Sequence, residues 1–188
     1  MKAIAFNRES GAEFVHPAAV SLIADSAIVI PGRPVFLPDF ASEWKARIFP
    51  AFRMSRLGKG VGEKFAHRYY ESVTLALKLE PKDAEATLAM SGSPMGLSGL
   101  FDSALMLGTW EPVSADGCYS IESGELKVEA DAAAMGIDSA VAIVSSYATI
   151  KIGDIIMPWS VPMEGEVKVG DHIVASLNGK VCLDVKIK

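Results

Sequence analysis

Cysteine and histidine are scarce in this sequence, with 2 cysteines and 3 histidines among 188 residues. Cys118 and Cys182 stand in unrelated contexts, without a C-x-x-C spacing or a nearby histidine pair. Zinc-ribbon and dithiol redox chemistry therefore find no support, and two reduced thiols are expected. His16, His67 and His172 each lack a second histidine three to five residues away, so each is expected to be solvated or to hold a structural hydrogen bond. Runs of like charge are missing too. The 18 basic and 23 acidic residues leave a net charge of −5 with no block of five, which argues against a nucleic-acid partner. No apolar run reaches the roughly 18 residues that cross a bilayer, because Asp25, Asp138 and Lys151 interrupt the best stretches; no membrane partner is expected. The opening Met1 to Phe6 runs at once into Asn7, Arg8 and Glu9. That is too short for the apolar core of a secretion signal, so a cytoplasmic location is the expectation. No Gly-x-Ser-x-Gly elbow is present, and Gly58-Lys59-Gly60-Val61-Gly62 lacks the Gly-Lys-Ser/Thr of a phosphate-binding loop, so it reads as a hairpin loop.

What the sequence does contain is apolar residues, at 50% of the chain, with a mean hydropathy of +0.28. This permits one well-buried domain spanning 1–188, with the excess directed to a large core or an oligomer face. Short strand-like segments dominate, at 19–24, 27–30, 35–37, 44–54, 72–79 and 104–110. They are punctuated by Pro31-Gly32-Arg33-Pro34, Leu57-Gly58 and Asp116-Gly117. A closing strand pair, 171–177 and 181–187, is joined by Asn178-Gly179-Lys180, where Asn-Gly suits positive φ. Helices are expected at 63–70, at 82–90 after Glu80-Pro81, and at 138–149, the last capped by Asp138 or Ser139 with Val141, Val144, Ser145 and Ala148 on one face. The pattern predicts an α+β, mostly β domain and not a doubly wound one.

Several blocks carry a further signal by their order and spacing. Gly58-Lys59-Gly60 leads through a helix with Ala66 and Tyr69-Tyr70 into the strand at 72–79, and then into Glu80-Pro81-Lys82-Asp83. Ser93-Pro94-Met95, Phe101-Asp102 and Leu107-Gly108-Thr109-Trp110 follow, and then Gly153-Asp154-Ile155-Ile156 and Val169-Gly170-Asp171. In this order the sequence resembles the fumarylacetoacetate hydrolase family from about residue 19 to the end. The resemblance implies a mixed β-sandwich roll with a few short helices, a homodimer, and metal-dependent hydrolases, decarboxylases or isomerases of keto acids that use Mg²⁺ or Mn²⁺ to stabilise an enolate. Residues 1–18 look like a shortened, diverged form of the family's N-terminal part, with Arg8, Glu9 and Glu13 but no matching histidine.

The resemblance breaks at the family's metal ligands. Its Glu-x-Glu pair falls on Arg47-Ile48-Phe49, its third carboxylate on Lys78, its lysine on Gly99, and its Thr-Gly-Thr-Pro loop on Pro158-Trp159-Ser160-Val161. Two cationic side chains and a phenyl ring cannot ligate a hard cation that wants oxygen. The expectation is a catalytically degenerate member without metal, whose candidate ligand-binding residues are Arg47, Lys78, Glu80 and Ser160. Arg47 and Lys78 would receive a small carboxylate or phosphate in place of the cation, or Glu80 or Glu43 would neutralise them as buried salt bridges; the two differ in whether a cavity remains. A divalent-metal enzyme built on a displaced cluster of Glu43, Glu80, Asp83 and Glu85 is one alternative. The other is a dimeric structural domain whose former pocket is filled by Trp110, Trp159, Phe49 and Phe52.

Overall fold

The structure is a computed structural model that describes residues 1–6, 20–93, 96–159 and 165–188. Two sheets enclose one hydrophobic core. The larger sheet contains β1 (Lys2–Phe6), β2 (Val20–Ala24), β3 (Ile28–Val29), β4 (Trp44–Met54), β5 (Tyr70–Pro81), β6 (Leu105–Leu107), β7 (Glu111–Pro112) and β10 (Ile155–Met157). Its order is β2-β1-β10-β4-β5-β6-β3, with β7 paired to β5, and β1 with β10 and β3 with β6 are its parallel pairs. The smaller sheet runs β12-β11-β8-β9, with β8 (Cys118–Ser123), β9 (Leu126–Asp131), β11 (His172–Leu177) and β12 (Lys180–Lys186). Three α-helices, α1 (Lys82–Met90), α2 (Ala132–Met135) and α3 (Ile137–Tyr147), complete the mostly β architecture.

The long hairpin of β4 and β5 is the spine of the larger sheet. The first half of β4 alternates, burying Trp44, Ala46 and Ile48 while Lys45 and Arg47 stay half-exposed; from Phe49 both faces are covered, as for a central strand. Nearly all of β5 is buried, Lys78 and Glu80 included. The register places Arg47 opposite Lys78 and Lys45 opposite Glu80. Two like charges opposite one another destabilise a ladder, so the acid two residues beyond Lys78 on the same face is what permits the pairing. At the hairpin's end Trp44, Phe40 and Phe101 meet edge to face with centroids 5.4–5.5 Å apart.

The expected segments 44–54 and 82–90 coincide with β4 and α1, and the Asn178-Gly179 turn has φ of 52° and 75° at its two residues. Other segments differ for local reasons. Of the run 104–110 only β6 is strand; after it Gly108 lies against β12, where a Cβ would sit 2.4 Å from the Cys182 carbonyl oxygen. The run 35–37 contributes a single bridge, Val35 to Ile187, and 63–70 contains the 3₁₀ helix Glu63–Arg68. Helix α3 starts from Gly136 at φ 68°, and neither expected cap serves it: Asp138 accepts a hydrogen bond from Tyr70 at 2.9 Å, and Ser139 donates to Glu63. Both cysteines are free.

Candidate functional site

A cleft of about 560 Å³ opens over the β4–β5 hairpin. Strand β4 delivers Arg47 to it, β5 delivers Lys78 and Glu80, and the first turn of α1 delivers Lys82 and Glu85. The facing wall is β2 and the 3₁₀ turn Gly96–Gly99, which brings Ser98.

Glu80 is the hub of this cluster. Its Oε1 accepts a hydrogen bond from Lys78 Nζ at 3.1 Å, with only 2% and 6% of the lysine and glutamate side-chain surfaces exposed. Its Oε2 lies 3.1 Å from Arg47 Nε and 3.4 Å from Lys82 Nζ, ion-pair approaches without hydrogen-bond angles, so this buried oxygen accepts no hydrogen bond among the described residues. Burial by itself would push the Glu80 carboxyl up. Lys78 and Arg47, with the Lys78 hydrogen bond and Lys82, outweigh it and hold the group below its ordinary value of 4.5, as a carboxylate. Glu85 accepts from Ser98 Oγ at 2.6 Å and lies 4.0 Å from Lys82. Three cations therefore face two carboxylates, leaving one positive charge uncompensated in the cleft.

The structure thus brings together Arg47, Lys78 and Glu80: Glu80 pairs with the two cations, and a cavity remains above them. Ser160 lies outside the described residues, as do Arg8, Glu9, Glu13 and His16. Gly99 forms the wall where β2 crosses; a Cβ there would sit 1.9 Å from the Leu22 carbonyl oxygen, so no side chain can replace the family's lysine at this point. Phe49, Phe52 and Trp159 are core residues, and Trp110 stacks under Arg53, yet together they do not close the cleft. Lys82 and Ser98 were not singled out in the sequence. Only the return of the 3₁₀ turn against α1 gives them a role.

The displaced carboxylate cluster does not assemble. Glu43 is exposed and does not line the cleft. Asp83 is occupied by Ser42, from the backbone at 2.8 Å and the hydroxyl at 2.7 Å, and by the Ala84 amide. Among the described residues no group of three or more His, Cys, Asp or Glu could hold a metal ion, and the donor set at the cleft, one buried carboxylate among three cations, does not fit a divalent cation. A second depression of about 470 Å³ lies against residues 29–34 and β12. Its charged groups Arg33, Asp184 and Lys186 are exposed and screened by water, so the buried cluster is the better-built site.

No family model matches the chain. Rat mitochondrial oxaloacetate tautomerase FAHD1 is 25% identical over 165 residues, covering 84% of this chain and 75% of that protein. A putative fumarylacetoacetate hydrolase family protein from Yersinia pestis superposes with a TM-score of 0.84 at 19% identity, over 100% of this chain and 93% of that one. The chain has the fold of the fumarylacetoacetate hydrolase family and is similar in sequence to its members. Fumarylpyruvate hydrolase from Pseudomonas aeruginosa, solved with Mn²⁺ and pyruvate, matches with a TM-score of 0.80 at 15% identity, over 99% of this chain and 88% of that one. By name these relatives include an oxaloacetate tautomerase and a fumarylpyruvate hydrolase, and nothing about them speaks for a loss of activity in this chain.

Proposed function

We propose that the cleft binds a small organic acid directly on Arg47 and Lys78, without a metal ion. The observation that carries the reading is the uncompensated positive charge around a buried ammonium at the base of an open cavity. A carboxylate there meets Arg47 with two parallel donors and supplies the missing negative charge in a place where water competes poorly. The volume falls within the range of small-molecule sites, and the relatives named for oxaloacetate and fumarylpyruvate favour a keto acid over phosphate.

Thermal shift on chelator-treated protein tests this, with oxalate, oxaloacetate and phosphate at low and high salt. At a hundredfold excess over Kd, binding adds about 2.7 kcal/mol, or roughly 5–10 °C for a chain of this length. The shift is expected to shrink with salt and to vanish in Arg47→Ala. A shift that appears only with Mg²⁺ or Mn²⁺ overturns the proposal and favours the second reading, a divalent-metal-dependent enzyme of keto acids, which rests on the Mn²⁺-bound neighbour. Silence with every ligand, together with a dimer by sedimentation, favours the structural-domain reading.

A further inference from the structure

Lys78 is the feature of the cleft that anion binding leaves over. Two exposed cations on rim positions would suffice to dock a carboxylate, yet here an ammonium with 2% of its side chain exposed lines the cavity beside a carboxylate. Its Nζ has three donors and, among the described residues, spends one, on Glu80 Oε1 at 3.1 Å.

We propose that Lys78 is a nucleophile, forming an imine with the carbonyl carbon of a 2-oxo acid seated in this cleft; the inference rests on the anion-binding reading above. An imine-forming lysine requires a site shielded from bulk water, a proton acceptor within reach, and a dock that presents the ketone. Burial in β5 supplies the first and Glu80 the second. Arg47 and Lys82 at the rim supply the third. The step balances within the site. Glu80 takes one proton from the Lys78 ammonium, and the freed electron pair forms the nitrogen–carbon bond as the carbonyl oxygen takes a proton from nitrogen. The hydroxyl then leaves as water with the proton returned by Glu80, and the iminium keeps the single positive charge with which Lys78 began. An iminium beside the acid withdraws electrons from the adjacent carbon, the same service a metal-bound carbonyl gives. That is how a site with cations in place of metal ligands can still act on a keto acid.

The test is reductive trapping on the full chain, treated with chelator and incubated with pyruvate and cyanoborohydride, followed by intact mass and peptide mapping. A thermal-shift series with pyruvate, and with lactate, which has the carboxylate but no ketone, runs in parallel. One reduced pyruvyl group on Lys78 is expected, formed at least about tenfold faster than on surface lysines such as Lys180, since the docked ketone is held at high effective concentration. Lactate is expected to shift the melting temperature, to slow trapping and to leave no adduct. Lys78→Arg should lose the adduct; should it fail to fold, the mapped site in the wild type decides. A pyruvate shift with adducts only on surface lysines overturns the imine and leaves the anion site standing. Neither shift nor adduct overturns both.

Discussion

Glu80→Gln removes the charge that holds the cluster together while keeping its shape and one acceptor for Lys78. The Lys78 ammonium, buried with 2% of its side chain exposed, is then left beside Arg47 and Lys82 without a counter-charge. Breaking a buried pair by removing one partner costs about 3–5 kcal/mol, and the retained amide acceptor points to the lower end, about 3 kcal/mol. For a chain of 188 residues this is a fall in melting temperature of roughly 6–12 °C. Removing both charges should recover most of the loss, so Glu80→Gln combined with Lys78→Met is expected to melt well above Glu80→Gln alone. The wild type carries a matching pH signature. The Glu80 carboxyl is held below its ordinary value of 4.5 in the folded chain, so the unfolded chain binds the proton more readily near that pH. The stabilisation is complete above about 4.5 and is lost as pH falls through the lower, folded value; the Gln variant should lack this component. Differential scanning fluorimetry from neutral to acid pH reads all three effects. A Glu80→Gln melting point within about 2 °C of wild type, or a double variant no better than the single one, would refute the reasoning.

Gly99→Ala places a Cβ 1.9 Å from the Leu22 carbonyl oxygen, which the wall of the cleft can relieve only by moving β2. It is expected to cost about 1–3 kcal/mol and to weaken the anion-induced thermal shift at the same time. Asp154→Ala takes a buried carboxylate from the Lys2 amide at 3.0 Å, the Lys151 amide at 2.8 Å and the Lys2 ammonium. A loss of about 2–4 kcal/mol is expected, with faster amide exchange along β1 while the cleft still binds its anion.

The hairpin was legible because β4 and β5 are long and bounded by plain signals, with Pro81 closing β5 and α1 starting at once. Arg47 and Lys78 followed from setting the family's ligand positions on the sequence. Short strands fared worse: β10, three residues, and β1, which lies between β10 and β2, are held by pairing across more than 150 positions of sequence, and no local pattern carries that. Glu80 was read as one of several acids that could gather; that it alone is buried among the cations, while Asp83 turns to Ser42, depends on which face of α1 meets the hairpin. Lys82 and Ser98 were missed for the same reason, since their sequence neighbours say nothing of a turn returning across α1.

Isothermal titration of oxalate into metal-free protein, with chelator in the cell, is the most direct measure of the central claim. Stoichiometric binding that is unchanged by added Mn²⁺ and lost in Arg47→Ala is the predicted result. Binding that is absent until Mn²⁺ is supplied would contradict the account and return the cleft to the family's metal chemistry.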